Sequence, residues 1–154
     1  MQIIGRTEFV DRTQEALEVL RQLDPFNYRR VLTYVDEINE VRYGSGMNTK
    51  NRIFHVGTLT AFPELAGALH EKAVKFYAVS IVHDAVHSEL DKRFGVSPYT
   101  SNERVRRKHE EIALRVQGRS SIKLGILTES EVKISIEELL KSEYWNWEYW
   151  ERYW

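Results

Sequence analysis

The 154-residue chain has no cysteine. Disulfides, iron–sulfur clusters and thiolate zinc sites are therefore excluded, and any metal it holds must rest on histidine and carboxylate. No run approaches the roughly 18 consecutive apolar residues of a membrane-spanning helix. The opening residues, MQIIGRTEFVDRT, lack the basic stretch followed by an apolar run that marks a secretory signal. A cytoplasmic protein without a membrane partner is the expectation. An excess of one charge is missing too: 22 basic against 23 acidic residues give a formal net charge of -1, which argues against a broad surface for nucleic acid or anionic lipid. What remains is ordinary globular composition, 42% apolar and 29% charged, at a length that fits one domain with a real core. Nothing in the sequence speaks to oligomeric state.

The order of elements follows from periodicity. After an apolar lead, Met1 to Gly5, Thr7 offers a helix N-cap, and Phe9, Ala16, Leu17, Leu20 and Leu23 recur at helical spacing up to the Asp24-Pro25 break. Pro25 suits the first turn of a second helix with the stripe Tyr28, Val31, Leu32, Val35 and Ile38. Glu40 to Tyr43 reads as a short strand, Gly44 to Asn48 as a turn, and Arg52 to Thr60 as a half-buried strand, with the N-terminal lead available as a third. Pro63 opens a helical segment that continues through His87 to a stop at Gly95. A helix from Glu103 to Gln117 follows, then another starting at the capping box of Thr128 and Glu131. The last stretch, Glu143 to Trp154, holds all four tryptophans and reads as an aromatic tail that packs on the core, binds a partner or walls a cleft. The expected fold is α+β: a single, mostly helical domain over 1–154 with a two- or three-stranded sheet.

The chemistry is concentrated in His83-Asp84-Ala85-Val86-His87. On a helix, His83 and His87 share a face with Cβ atoms about 5 to 6 Å apart and can offer two imidazole nitrogens to one ion. Asp84 stands where the H-E-x-x-H arrangement carries the carboxylate that takes a proton from an attacking water. The run from Phe76 to Val86 is apolar nearly all round apart from Ser80 and the His-Asp pair, so it belongs in the middle of the domain. Two imidazoles and a carboxylate are costly to bury there unless they pair or bind a metal. A further carboxylate has to come from another helix, and both Glu110 and Glu111, in the middle of Glu103 to Gln117, are candidates. Glu110 shares a face with Ala113 and Gln117. His55 is a candidate for lining the cleft and Asp91 for holding His87 from behind.

HDAVH resembles the zincin metallopeptidase motif with its base shortened by one methylene. More loosely, the run from Ser45-Gly46 through HVGTLTAF and IVHDAVHS to HEEIALRVQ is similar to small zincin-like proteins in which a strand precedes an HDxxH helix. Leu90 and Arg93 stand where metzincins need a glycine and a third histidine, so the resemblance is to the glutamate zincins, whose third ligand is a Glu with a small residue three positions on, as in Glu110 to Ala113. That resemblance implies a zincin-like fold and a zinc site of His83, His87 and Glu110, with Glu111 as the alternative third ligand. It further implies Asp84 as general base, a peptide or protein substrate, and an edge strand, here Ile53 to Leu59, that holds an extended peptide by its backbone. His55 and Tyr99 are the candidates for stabilising an oxyanion. Two other readings compete. His83-Asp84 is also the H-D pair of HD-type metal phosphohydrolases, with His55 as an upstream ligand, and a zincin-shaped interaction module would keep the fold without the catalysis.

Overall fold

The computed structural model describes residues 1–100 and 102–142, so the aromatic tail at 143–154 lies outside the described residues. The elements run β1 (Gln2–Ile4), α1 (Thr7–Leu23), α2 (Pro25–Tyr34), β2 (Glu37–Val41), β3 (Gly46–Asn48), β4 (Ile53–Gly57), α3 (Thr58–Ala61), a 3-10 turn at Pro63–Ala66, α4 (His70–Phe94), α5 (Glu103–Lys123) and α6 (Glu129–Lys141). This is the expected α+β, mostly helical arrangement. Among the described residues no helix is long and apolar enough to cross a membrane.

Helix α1 buries Phe9, Thr13, Ala16, Leu17 and Leu20, three or four apart along one face. Thr7 does not cap it; Arg6 precedes the first turn, and its guanidinium binds Glu40 at 2.6 Å, joining the start of α1 to β2. Asp24 is the corner between the first two helices. Fully buried, it caps α2 and accepts hydrogen bonds from Asn27, from Ser120 Oγ at 2.9 Å and from Lys123 Nζ at 2.8 Å. Burial pushes its carboxyl up, but the bonds from Lys123, Asn27 and Ser120 outweigh it and hold the group below its ordinary range.

The sheet is larger than the sequence suggested and differently ordered. Helix α2 stops at Tyr34, and Ile38 lies not on its stripe but on β2, where it pairs with Phe54 of β4. Local helical spacing loses here to strand pairing, which gives a β-branched residue a partner across the sheet. The Arg52 side chain marks the break by donating to Thr33 O at 3.0 Å and to Asp36 at 2.7 Å. Four strands lie in the order β1-β2-β4-β3, the first three parallel and β3 antiparallel to β4. The N-terminal lead joins as expected, but Gly46 to Asn48, read as a turn, is a strand, and it takes an edge. The strand read as an edge, Ile53 onward, is interior, and it ends at Gly57, where α3 begins.

Helix α4 starts at His70 rather than at Pro63, after a left-handed Gly67 with φ 95°. From Ala73 to Leu90 it is buried against α1, α2, α5 and the sheet, which explains its apolar residues on all sides. Gly95, at φ 64°, ends it as predicted. Helix α5 opens at Asn102, whose side chain accepts from Val105 N, and α6 opens on the expected capping box. The two pack closely at Gly118, where an added Cβ would overlap Val132 Cγ1.

Candidate metal centre

Helix α4 presents His83 and His87 one turn apart, and α5 lays Glu110 across them. His83 Nε2 is 3.2 Å from Glu110 Oε1, His87 Nε2 is 3.4 Å from Glu110 Oε2, and the two Nε2 atoms are 3.1 Å apart. Donors held about 2.0–2.1 Å from a tetrahedral zinc stand roughly 3.3 Å from one another. These separations lie near that value, and among the described residues these three form the one His/Cys/Asp/Glu group whose candidate ligand atoms all lie within 4.8 Å of one another. Glu110 is only 3% exposed, so its charge is not available to solvent.

The tautomer of His83 is fixed from the far side. Gln117 lies two turns beyond Glu110 on the same face of α5, and its Oε1 is 2.9 Å from His83 Nδ1. An amide oxygen only accepts, so Nδ1 donates, and the lone pair that can ligate sits on Nε2, on the side of Glu110. Two ring nitrogens and a carboxylate this close require a cation among them. Burial disfavours the His83 imidazolium, yet the Glu110 charge and hydrogen bond, with Asp84 and Gln117, raise it to about 9. Burial likewise pushes the Glu110 carboxyl up, and the two imidazoles, His83 foremost, hold it well below the ordinary range. A proton meets the requirement in the metal-free protein; a divalent ion meets it equally.

The triad opens onto a cavity of about 160 Å³ whose wall also includes Ser45, Thr60, Asp84, Tyr99, Arg106 and Gln117. Ser45 Oγ accepts from Gly57 N at 2.9 Å and is 2.6 Å from Thr60 Oγ1, which fixes the turn before β3 against the end of β4. Tyr99 donates its hydroxyl to Met47 O of β3 at 2.9 Å. Arg106 Nη1 donates to Thr100 O at 2.8 Å, which orients the guanidinium.

No family model matches this chain, and neither a curated protein nor a solved structure matches it. The reading of the site therefore rests on its own residues.

Three of the sequence candidates do not reach the site. Glu111 turns outward to Lys108 and Arg115, because a neighbour of Glu110 on a helix faces about 100° away. His55 is absent from the cavity wall, which β4 reaches instead through Phe54; successive strand residues point to opposite faces. Asp91 does not hold His87, whose Nδ1 is buried without a hydrogen-bond partner; its charge acts on His109 instead. His109 itself stacks parallel to His87 with centroids 6.1 Å apart, and burial together with His87 lowers its pKa. Gln117 and Arg106 were not singled out from sequence as site residues. A signal for both existed, since they flank Glu110 at i+7 and i−4 on one helical face.

Proposed function

We propose that the chain is a zinc-dependent hydrolase of the peptidase type, with His83, His87 and Glu110 as ligands and Asp84 as general base. The observation that carries this reading is the meeting of two imidazoles and a carboxylate from two helices within 4.8 Å of one another, with the His83 tautomer set by Gln117. Zinc held by His83, His87 and Glu110 would supply Lewis acidity and lower the pKa of a water. Asp84, next to His83 in the chain and on the same cavity wall, would accept a proton from the water that adds to the carbonyl carbon. The proton then passes to the amine as the C–N bond breaks. Backbone pairing with an extended substrate belongs to β3, the edge strand beside the cavity, rather than to Ile53–Leu59.

The shorter reach of Asp84 relative to Glu favours one second reading, a zinc-binding module without catalysis. The phosphohydrolase reading loses its upstream ligand with His55 outside the cavity. Zinc analysis and a peptide library decide between the first two. One zinc per chain is expected, lost in His83→Ala, while Asp84→Asn keeps the zinc and abolishes cleavage. Zinc retained alongside undiminished cleavage in Asp84→Asn refutes the assignment of the base. Zinc without any cleavage, in wild type and in Asp84→Glu alike, favours the binding module.

A further inference from the structure

The wall that holds the triad also carries the hydroxyls of Ser45, Thr60, Ser80 and Tyr99. Each has one hydrogen to donate. Ser80 spends its own within α4, on Phe76 O at 3.0 Å, and Tyr99 spends its own on Met47 O. Ser45 Oγ and Thr60 Oγ1 lie 2.6 Å apart, so one of the two donates to the other. A pair joined by one bond has two hydrogens and uses one, so one is left over. Among the described residues the only other hydrogen bond at either oxygen is the one Ser45 accepts from Gly57 N, which occupies a lone pair and no hydrogen. In either order the hydroxyl that keeps its hydrogen also accepts one, which polarises it and strengthens it as a donor.

We propose that the Ser45–Thr60 pair gives this remaining hydrogen to a carbonyl oxygen of the substrate seated at the metal centre. The proposal rests on the zinc hydrolase reading above. The place of the pair in the fold suits the task. Ser45 directly precedes β3, whose first residue, Gly46, is on the same wall, so an extended chain paired with that edge strand meets the hydroxyls where it enters the cavity. The donor is also held before any ligand arrives: the Gly57 amide at the end of β4 fixes Ser45, and Thr60 stands on α3. A neutral hydroxyl matches a carbonyl oxygen, binding and orienting it while the proton of the attacking water goes elsewhere.

The test compares two thiols that bind zinc through sulfur, mercaptoacetone and propanethiol, which differ only in a carbonyl oxygen in place of two hydrogens. Calorimetry on the zinc-loaded full chain measures both. Wild type prefers the ketone, and in Ser45→Ala/Thr60→Val, with zinc content unchanged, the preference falls roughly 3- to 10-fold. Thr60→Ser, which keeps the hydroxyl, keeps the preference. Equal affinity of the two thiols for wild type overturns the proposal, whether or not the double variant folds. So does a preference undiminished in the double variant, or one lost in Thr60→Ser, which would assign it to the Thr60 methyl group. Each of these results leaves the zinc reading standing, whereas a chain that binds no zinc removes both.

Discussion

Gln117 is where the geometry of the metal centre can be tested without removing a ligand. It touches His83 through Nδ1 alone, on the side away from Glu110. Gln117→Leu keeps the bulk of the side chain and deletes the acceptor, so the ring is free to rotate and the proton to move to Nε2. A partner of this kind is typically worth 10- to 100-fold in metal affinity, or about 1.4 to 2.7 kcal/mol. Gln117→Glu works in the opposite direction, since a carboxylate on Nδ1–H makes Nε2 a better donor and strengthens zinc binding. Competition against a chromophoric chelator at fixed pH measures both, and circular dichroism checks that the helices persist. If Gln117→Leu binds zinc within about threefold of wild type, the tautomer argument fails, and with it the claim that α5 prepares His83 as well as supplying Glu110.

Other consequences follow from the same geometry. Glu110→Gln keeps its shape but loses its charge between two imidazoles, and zinc affinity should fall by more than the 100-fold expected of an indirect partner, whereas Glu111→Gln should leave it unchanged; the same competition assay compares them. The Asp24 carboxyl has a folded pKa below its ordinary 3.8, so the stability it contributes is fully present above that pH and is lost as pH falls through the depressed folded value. Asp24→Ala should destabilise the protein by about 2 to 3 kcal/mol at pH 7 in urea unfolding and flatten the acid limb of stability below the ordinary carboxyl value of 3.8. Gly118→Ala forces a Cβ against Val132, and the overlap should outweigh the gain in helix propensity, a net loss of about 1 kcal/mol that Val132→Ala restores in a double-mutant cycle.

The parts of the site that could be read in the chain are those set by spacing along one helix. His83, Asp84 and His87 were visible because a turn of α4 is a fixed length, whereas Glu110 was favoured over Glu111 only by the resemblance to the glutamate zincins, and the packing of α5 on α4 brings it to the imidazoles. The apolar surroundings of the HDAVH run also announced its depth correctly, since α4 is the buried centre of the fold. The errors fell where partners from elsewhere in the chain decided the outcome. Ile38 has helical spacing with Val31 and Val35, and only pairing with Phe54 makes it part of a strand. Gly46 to Asn48 looks like a turn until β4 is beside it.

The sequence alone determined that any metal would sit on imidazole and carboxylate, that two of the imidazoles share one helix face, and that this helix is buried. Tertiary structure decided which acid meets them, which side chain sets the His83 tautomer, that Asp91 and His55 are elsewhere, and that Arg106 stands on the cavity wall. The division has one physical cause. Periodicity fixes directions around a single helix or strand, whereas the rotation of α5 against α4, and the order of strands in the sheet, come from packing between segments far apart in the chain, on which local spacing is silent.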